Sequence, residues 1–264
     1  MTAAPLVRLE RDKALARITL ARPEAGNALN PPLVKDLLSA ATQCANDPEV
    51  RAVLLTGEGR SFCVGGDIAE FERAGAHRQV MLSCLAEYLH AAEALFLGMR
   101  APVVVAVQGA AAGAGLSLAM MADVVVAAAS AHFTVAYTAI GLSADGGSTH
   151  ILPRLIGMRR TQELMLTNRR LSAAEALDWG LVTAVVADDE LMHRAEAEAQ
   201  RLAAGPTGAY GVIKTLLAQT YRTDFISQTN DEGREIARLA GLHDAGEGIA
   251  AFRAKRPPVF KGND

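Results

Sequence analysis

VVVAVQGAAAGAGLSLAMMADVVVAAASAHFTVAYTAIGLSADGGST, residues 103–149, decides how the rest of the chain is read. Two short apolar runs, 103–107 and 124–129, have the length and Val content of buried strands. Between them lies Gly109-Ala-Ala-Ala-Gly113-Ala114-Gly115, followed by an apolar helical stretch over 116–121. A second glycine-rich knot closes the segment at Ser143-Ala-Asp145-Gly146-Gly147-Ser148-Thr149. A helix that opens on small residues leaves its first N–H groups uncovered, which suits an anionic oxygen. Asp145 is the lone acid in the second knot and the natural partner for such a site.

Upstream, residues 6–10 and 14–20 alternate weakly about Arg11-Asp12-Lys13 and predict a hairpin. Residues 22–27 form a turn cluster. Asn30 is placed to cap a helix that opens on Pro31-Pro32 and runs to about residue 46. A continuous apolar strand is expected at 50–56. A loop with four glycines follows, GEGRSFCVGGDIAEF, and leads into a short helix at Asp67. Residues 77–99 carry a helical stripe of Leu82, Leu85, Leu89, Ala92 and Phe96. Downstream, helices are expected at 151–156, 159–166 and 173–179, a strand at 181–186, and then helices alone: 190–204, 206–220, 224–240 and 244–253. The alternation of strands and helices makes this an α/β protein, with a core over residues 1–200 and a helical tail over 201–264. A tail with apolar stripes and little core of its own is expected to pack on another subunit.

The chain has 264 residues, 50% hydrophobic, enough for one sizeable core. A net charge of −3 gives no footprint for nucleic acid or an anionic membrane. Cys44, Cys63 and Cys84 form an odd set without CxxC spacing, so reduced thiols and a cytoplasmic location are expected. The charged N-terminus lacks a signal-peptide core, and no apolar run reaches the roughly 18 residues of a membrane span. His77, His132, His150, His193 and His243 lack metal-ligand spacing, so no metal is assigned.

Three readings of GAAAGAG compete. A dinucleotide fingerprint needs a third glycine where Leu118 stands, and no acid follows at the required distance. The small residues could simply allow close helix packing. The third reading takes in Gly65-Gly66, which also sits between a strand and a short helix. Two such loops could aim two N–H donors at one oxygen, each typically worth roughly 3 kcal/mol against a developing oxyanion. The sequence alone does not show that they converge.

SFCVGGDI (61–68), followed by QGAAAGAGLSLAMMAD (108–123), resembles the crotonase superfamily, the enoyl-CoA hydratase/isomerase fold. The second string carries that family's signature: Gly109, three residues, three Gly or Ala, and Asp123 at the close. The resemblance spans residues 18–260. It implies a spiral of ββα units with a C-terminal helical trimerisation region, and a homotrimer or dimer of trimers. It also implies a coenzyme A thioester as substrate, with no further cofactor and the thioester oxygen held by the N–H groups of Gly66 and Ala114.

Hydratases of that family use two glutamates, which would fall at Ser117 and Tyr137. A hydroxyl and a phenol cannot do their work at neutral pH, so ordinary hydration is not expected. GLSADGG (141–147) is similar instead to the active-site string of acyl-CoA ring-epoxide and double-bond isomerases, which implies Asp145 as a proton-shuttling base. The tail, ARLAG and then EGIAAFRAKRPPVFKG, resembles that of ring-oxepin isomerases. Without the resemblance, an Asp before Gly-Gly-Ser would read as a helix cap or turn residue.

Residues 157–182 resemble 4-chlorobenzoyl-CoA dehalogenases, which implies Asp145 as nucleophile and His90 as the base that activates water. That group places tryptophans at the positions of Leu89 and Tyr137, and their absence weakens the match. His90 could otherwise be a half-buried packing residue, and Tyr137 a pocket wall. For the coenzyme A moiety, the resemblance implies Arg22 and Ala25 in the first turn, Gly66, Asp67, Ile68 and Ala69 in the loop, and Phe252 and Lys255 reaching from a neighbouring subunit. Arg22 and Lys255 could equally be solvated charge. A catalytically silent CoA-ligand or RNA-binding relative is the third alternative; acidic net charge opposes RNA, and an intact Asp145 opposes silence.

Overall fold

The computed structural model describes residues 5–262. Strands β1 (Val7–Asp12) and β2 (Leu15–Leu20) form the expected antiparallel hairpin, with Lys13 in the left-handed region at its turn. Helix α1 (Pro31–Asn46) starts where Asn30 accepts a 3.0 Å hydrogen bond from the Leu33 N–H. Its apolar face, Leu33, Val34, Leu37 and Ala41, is fully buried. Strand β3 (Ala52–Gly57) is buried along its whole length and begins two residues later than its apolar run. After the glycine loop come α2 (Ile68–Arg73) and the long α3 (Arg78–Gly98). Leu85, Leu89, Ala92 and Phe96 of the expected stripe are buried, whereas Leu82 is only partly so.

The organising segment supplies β4 (Val103–Val107), β5 (Ala110–Ala112), α4 (Ala114–Met120), β6 (Val124–Ala128) and β7 (His132–Thr134). The chain then builds α5 (Ser148–Ile156), α6 (Met158–Thr167), β8 (Leu171–Ser172), α7 (Ala173–Asp178), β9 (Ala184–Val186) and α8 (Leu191–Ala203). The tail is α9 (Thr207–Gln219), α10 (Phe225–Ala240) and α11 (His243–Arg253).

Two sheets result. The larger has the order β1-β2-β3-β4-β6-β9, parallel from β2 onward, and the smaller has the order β5-β7-β8. Parallel strands buried on both faces read as unbroken apolar runs, which is why β3, β4 and β6 are evident in the sequence. The three strands of the small sheet are short and were not expected. Each turn of the chain makes one strand of the large sheet, then a short extended piece, then a helix. The extended pieces stack: Leu29 bridges Gly66, Cys63 bridges Ala111, and β5 pairs in parallel with β7. This stacking is the expected spiral of ββα units, and it brings successive loops to one end of the molecule.

By length and composition, Gly75–Gly98 (24 residues, mean hydropathy 1.4) is apolar enough to cross a membrane, although charged residues interrupt it. In the fold it packs against α1 and α9. The tail is different in kind from the core. α10 buries none of its residues, and Phe225, Ile226 and Ile236 are 78%, 65% and 71% exposed.

Candidate active site

Gly65-Gly66 and Gly113-Ala114 meet across adjacent turns of the spiral. Gly65 is in the left-handed region at φ +96°, where a Cβ would lie 2.7 Å from the Ala112 carbonyl oxygen and 3.5 Å from the Ala114 nitrogen. Only glycine permits that approach. The bridge to Leu29 uses the Gly65 carbonyl and the Asp67 N–H, at 2.7 and 3.0 Å, which turns the Gly66 N–H to the opposite side. The Ala114 N–H is the first of its helix and has no intrahelical partner. Among the described residues neither N–H donates to a backbone carbonyl. Asn27 anchors the first loop from beneath: it is buried, and its Nδ2 donates to the carbonyls of Glu58, Ser61 and Phe62 at 2.9–3.0 Å.

These loops form one wall of a cavity of about 550 Å³. Ile68, Phe71, Leu82 and Leu85 form a second wall, and Tyr137, Ile140, Leu142 and Asp145 a third. The lining is mostly apolar, and among the described residues Asp145 is its one carboxylate.

Asp145 does not cap a helix. The N-cap of α5 is Gly147, and no side chain bonds to the helix start. Instead the Asp145 main-chain carbonyl accepts from Ser117 Oγ (3.0 Å), Ser148 Oγ (2.8 Å) and the Ser148 N–H (3.2 Å). That grip leaves the carboxylate free, and its Oδ1 lies 2.7 Å from His90 Nε2. Gly146, at φ +59°, completes the turn; a Cβ there would sit 2.6 Å from Ser117 Cβ. His90 is thus no packing residue: its side chain is 48% exposed and meets Asp145 across 55 positions of sequence.

Ser117 is fully buried, with its Oγ 3.4 Å from the Tyr137 hydroxyl. Burial pushes the Tyr137 phenol well above its ordinary range, partly opposed by the Ser117 hydrogen bond. Leu89, in the same stretch of α3, has no exposed surface and cannot line the cavity. Burial also pushes the Cys63 thiol up to about 12 and the Cys44 thiol up to about 11, so both remain protonated. Among the described residues no three His, Cys, Asp or Glu side chains come together as metal ligands would.

The expected coenzyme A residues fall in two places. Arg22 is not a solvated charge. Its Nη1 lies 2.6 Å from Asp67 Oδ2, with side chains only 17% and 8% exposed, and also donates to the Ala28 carbonyl at 2.9 Å. Burial works to raise the Asp67 carboxyl, but bonds from Arg22 and the Glu70 N–H hold it below its ordinary value. Ala25 lies in the short 3-10 turn Pro23–Ala25, and Ile68 and Ala69 are exposed at the start of α2. Phe252, 86% exposed, and Lys255 lie at the end of the tail, and neither lines this cavity within the chain.

One residue was missed. Glu93, one helical turn beyond His90 on α3, is 4% exposed, and its Oε1 has no hydrogen-bond partner among the described residues. Burial first, and the Asp145 charge second, push its carboxyl up to about 8. An acid four positions after Leu89 on a buried stripe was the available signal.

Comparison with known proteins agrees with this architecture. The sequence model of the enoyl-CoA hydratase/isomerase family matches residues 10–263. A Rhodobacter capsulatus protein named "Probable enoyl-CoA hydratase" is 40% identical over 97% of this chain and 98% of its own. The 1,2-epoxyphenylacetyl-CoA isomerase of Escherichia coli is 37% identical over 95% and 96%, and 4-chlorobenzoyl coenzyme A dehalogenase-2 of an Arthrobacter species 32% over 94% and 91%. Among solved structures, an enoyl-CoA hydratase from Polaromonas sp. JS666 superposes with a TM-score of 0.92 at 34% identity, covering 97% of this chain and 99% of that one. The chain belongs to the enoyl-CoA hydratase/isomerase family, and the crotonase resemblance and fold are borne out.

Proposed function

We propose that this enzyme isomerises an acyl-CoA thioester, with Asp145 as the base that moves the proton. In this reading the Gly66 and Ala114 N–H groups hold the thioester oxygen. For a 3-enoyl thioester, the Asp145 carboxylate takes a C2 proton. The C–H electron pair forms a dienolate whose negative charge rests on that oxygen, and the now neutral acid returns the proton at C4. Atoms and charge balance without any cofactor. Two fixed donors stabilise the enolate where its charge develops, and one carboxylate can serve both proton steps.

The observation that carries this reading is the clamp on the Asp145 main chain, which presents its carboxylate to a largely apolar cavity walled by the two loops. Relatives named 1,2-epoxyphenylacetyl-CoA isomerase and trans-2-decenoyl-[acyl-carrier-protein] isomerase support the reaction class. Ser117 and Tyr137, with no carboxylate at either position, speak against hydration. Asp145→Asn should abolish turnover of a 3-enoyl- or oxepin-CoA while thioester affinity stays within about fivefold. Full activity in that variant would end the proposal.

The His90–Asp145 contact favours one second reading, in which Asp145 attacks an aryl carbon and His90 activates the water that hydrolyses the ester. It requires chloride release from 4-chlorobenzoyl-CoA and a trapped aryl-aspartate in His90→Gln; absence of both removes it.

Coenzyme A would lie along Arg22, Ala25 and 66–69, with Tyr137 against the acyl group. The exposed apolar faces of α9–α11 suit a helical oligomerisation region over 201–264, a homotrimer or dimer of trimers that carries Phe252 and Lys255 to a neighbour's site. A cytoplasmic enzyme with reduced cysteines fits three free thiols, and the design has no role for nucleic acid or membrane.

A further inference from the structure

The isomerisation leaves Glu93 unused. Its Oε1 lies 3.0 Å from the point where Gly146 would carry a Cβ, and Ser117 Oγ lies 2.9 Å from the same point. The carboxyl therefore presses against the underside of the turn that presents Asp145. Its neighbours by element are Asp145 and Gly146 from that turn, Ser117 from α4 and Tyr137 from the 3-10 turn Tyr137–Ile140, with His90 one turn back on α3. The unpartnered oxygen is buried, in a residue only 4% exposed, and sits against the reacting group's own loop, so it is no incidental surface acid.

We propose that Glu93 is a positioning residue for the chemistry at Asp145: a buried acid whose charge state is coupled to that of Asp145 and alters how readily Asp145 takes a substrate proton. The proposal rests on the reading of Asp145 as base. Repulsion between two carboxylates is the same seen from either one. Once Glu93 ionises, transfer of a substrate proton to Asp145 relieves the repulsion between the two carboxylates and is favoured. The burial-raised carboxyl, about 8, places this change just above neutrality. A purely structural glutamate would alter stability but not the dependence of turnover on pH.

The test is infrared titration of protein labelled with 13C-glutamate, from about pH 6 to about pH 10, which separates glutamate from aspartate carboxyls. A protonated-glutamate C=O band should persist at pH 7 and vanish with a midpoint near 8. Asp145→Asn should lower that midpoint by about half a unit or more, and Glu93→Gln should delete the band. Wild-type kcat should rise about threefold through the midpoint, and the Glu93→Gln profile should be flat there, with KM within about twofold. A midpoint indifferent to Asp145→Asn, or the same kcat profile in wild type and Glu93→Gln, overturns the proposal. If Glu93→Gln does not fold, the labelled wild type and Asp145→Asn decide it. Turnover that survives Asp145→Asn would remove the proton-shuttle reading and leave the infrared coupling standing. Loss of coupling with Asp145 still essential would overturn only the role of Glu93.

Discussion

Replacing Glu93 by leucine should make the protein more resistant to alkaline conditions. The unfolded chain releases this proton near the ordinary value of 4.5, whereas the folded chain keeps it to about 8. Between those values the folded state binds more protons, so wild-type stability falls as pH rises through the window and levels off above it. A shift of that size sets a ceiling of about 5 kcal/mol. Relaxation and water entry on ionisation reduce this, and about 2–3 kcal/mol is expected in practice. Leucine carries no proton to lose, so its stability advantage over wild type should be small near pH 5 and grow by that amount towards pH 9. Urea unfolding followed by circular dichroism measures it, at one fixed protein concentration because subunit association would shift the curves. A difference that stays constant across pH, or a wild type that gains stability between pH 5 and 8, would refute the reasoning.

Gly146→Ala forces a left-handed alanine whose Cβ meets Ser117 at 2.6 Å; the displaced turn should lower kcat by about 100-fold, measured by steady-state turnover. Arg22→Ala leaves Asp67 buried without its cation and should cost about 3 kcal/mol in urea unfolding. Because Asp67 is held below its ordinary value, its contribution is present above the unfolded value and lost as pH falls through the folded one, so the variant should also unfold at a higher pH in acid titration. Ser117→Ala removes one of three donors to the Asp145 carbonyl; a loss of about 1 kcal/mol is expected, with kcat reduced less than in Gly146→Ala.

The large sheet was legible because β3, β4 and β6 are contiguous apolar runs, and α1 because its cap and periodicity are local. The small sheet was not. β5 is three alanines whose partners, residues 132–134, belong to the next turn of the spiral, and nothing local distinguishes them from a loop. The two glycine loops were visible, but their convergence depends on the Cys63–Ala111 and Leu29–Gly66 bridges. Asp145 and His90 were named through family resemblance, since no spacing rule joins positions 55 apart. The Arg22–Asp67 pair likewise joins two turns of the spiral, and each residue alone reads as surface charge. Glu93 directly follows Ala92 of the buried stripe, but by residue type alone an acid there reads as solvent-facing.

The clamp at position 145 separates two tasks that a side chain usually performs together. Ser117 and Ser148 fix the main chain there, so whatever side chain the position carries inherits the same bearing into the cavity. The turn is therefore a socket. A different acid, an amide or a hydroxyl could be plugged in without rebuilding the loop, whereas the cavity's shape is shared among α2, α3 and the 3-10 turn and cannot be changed at one position.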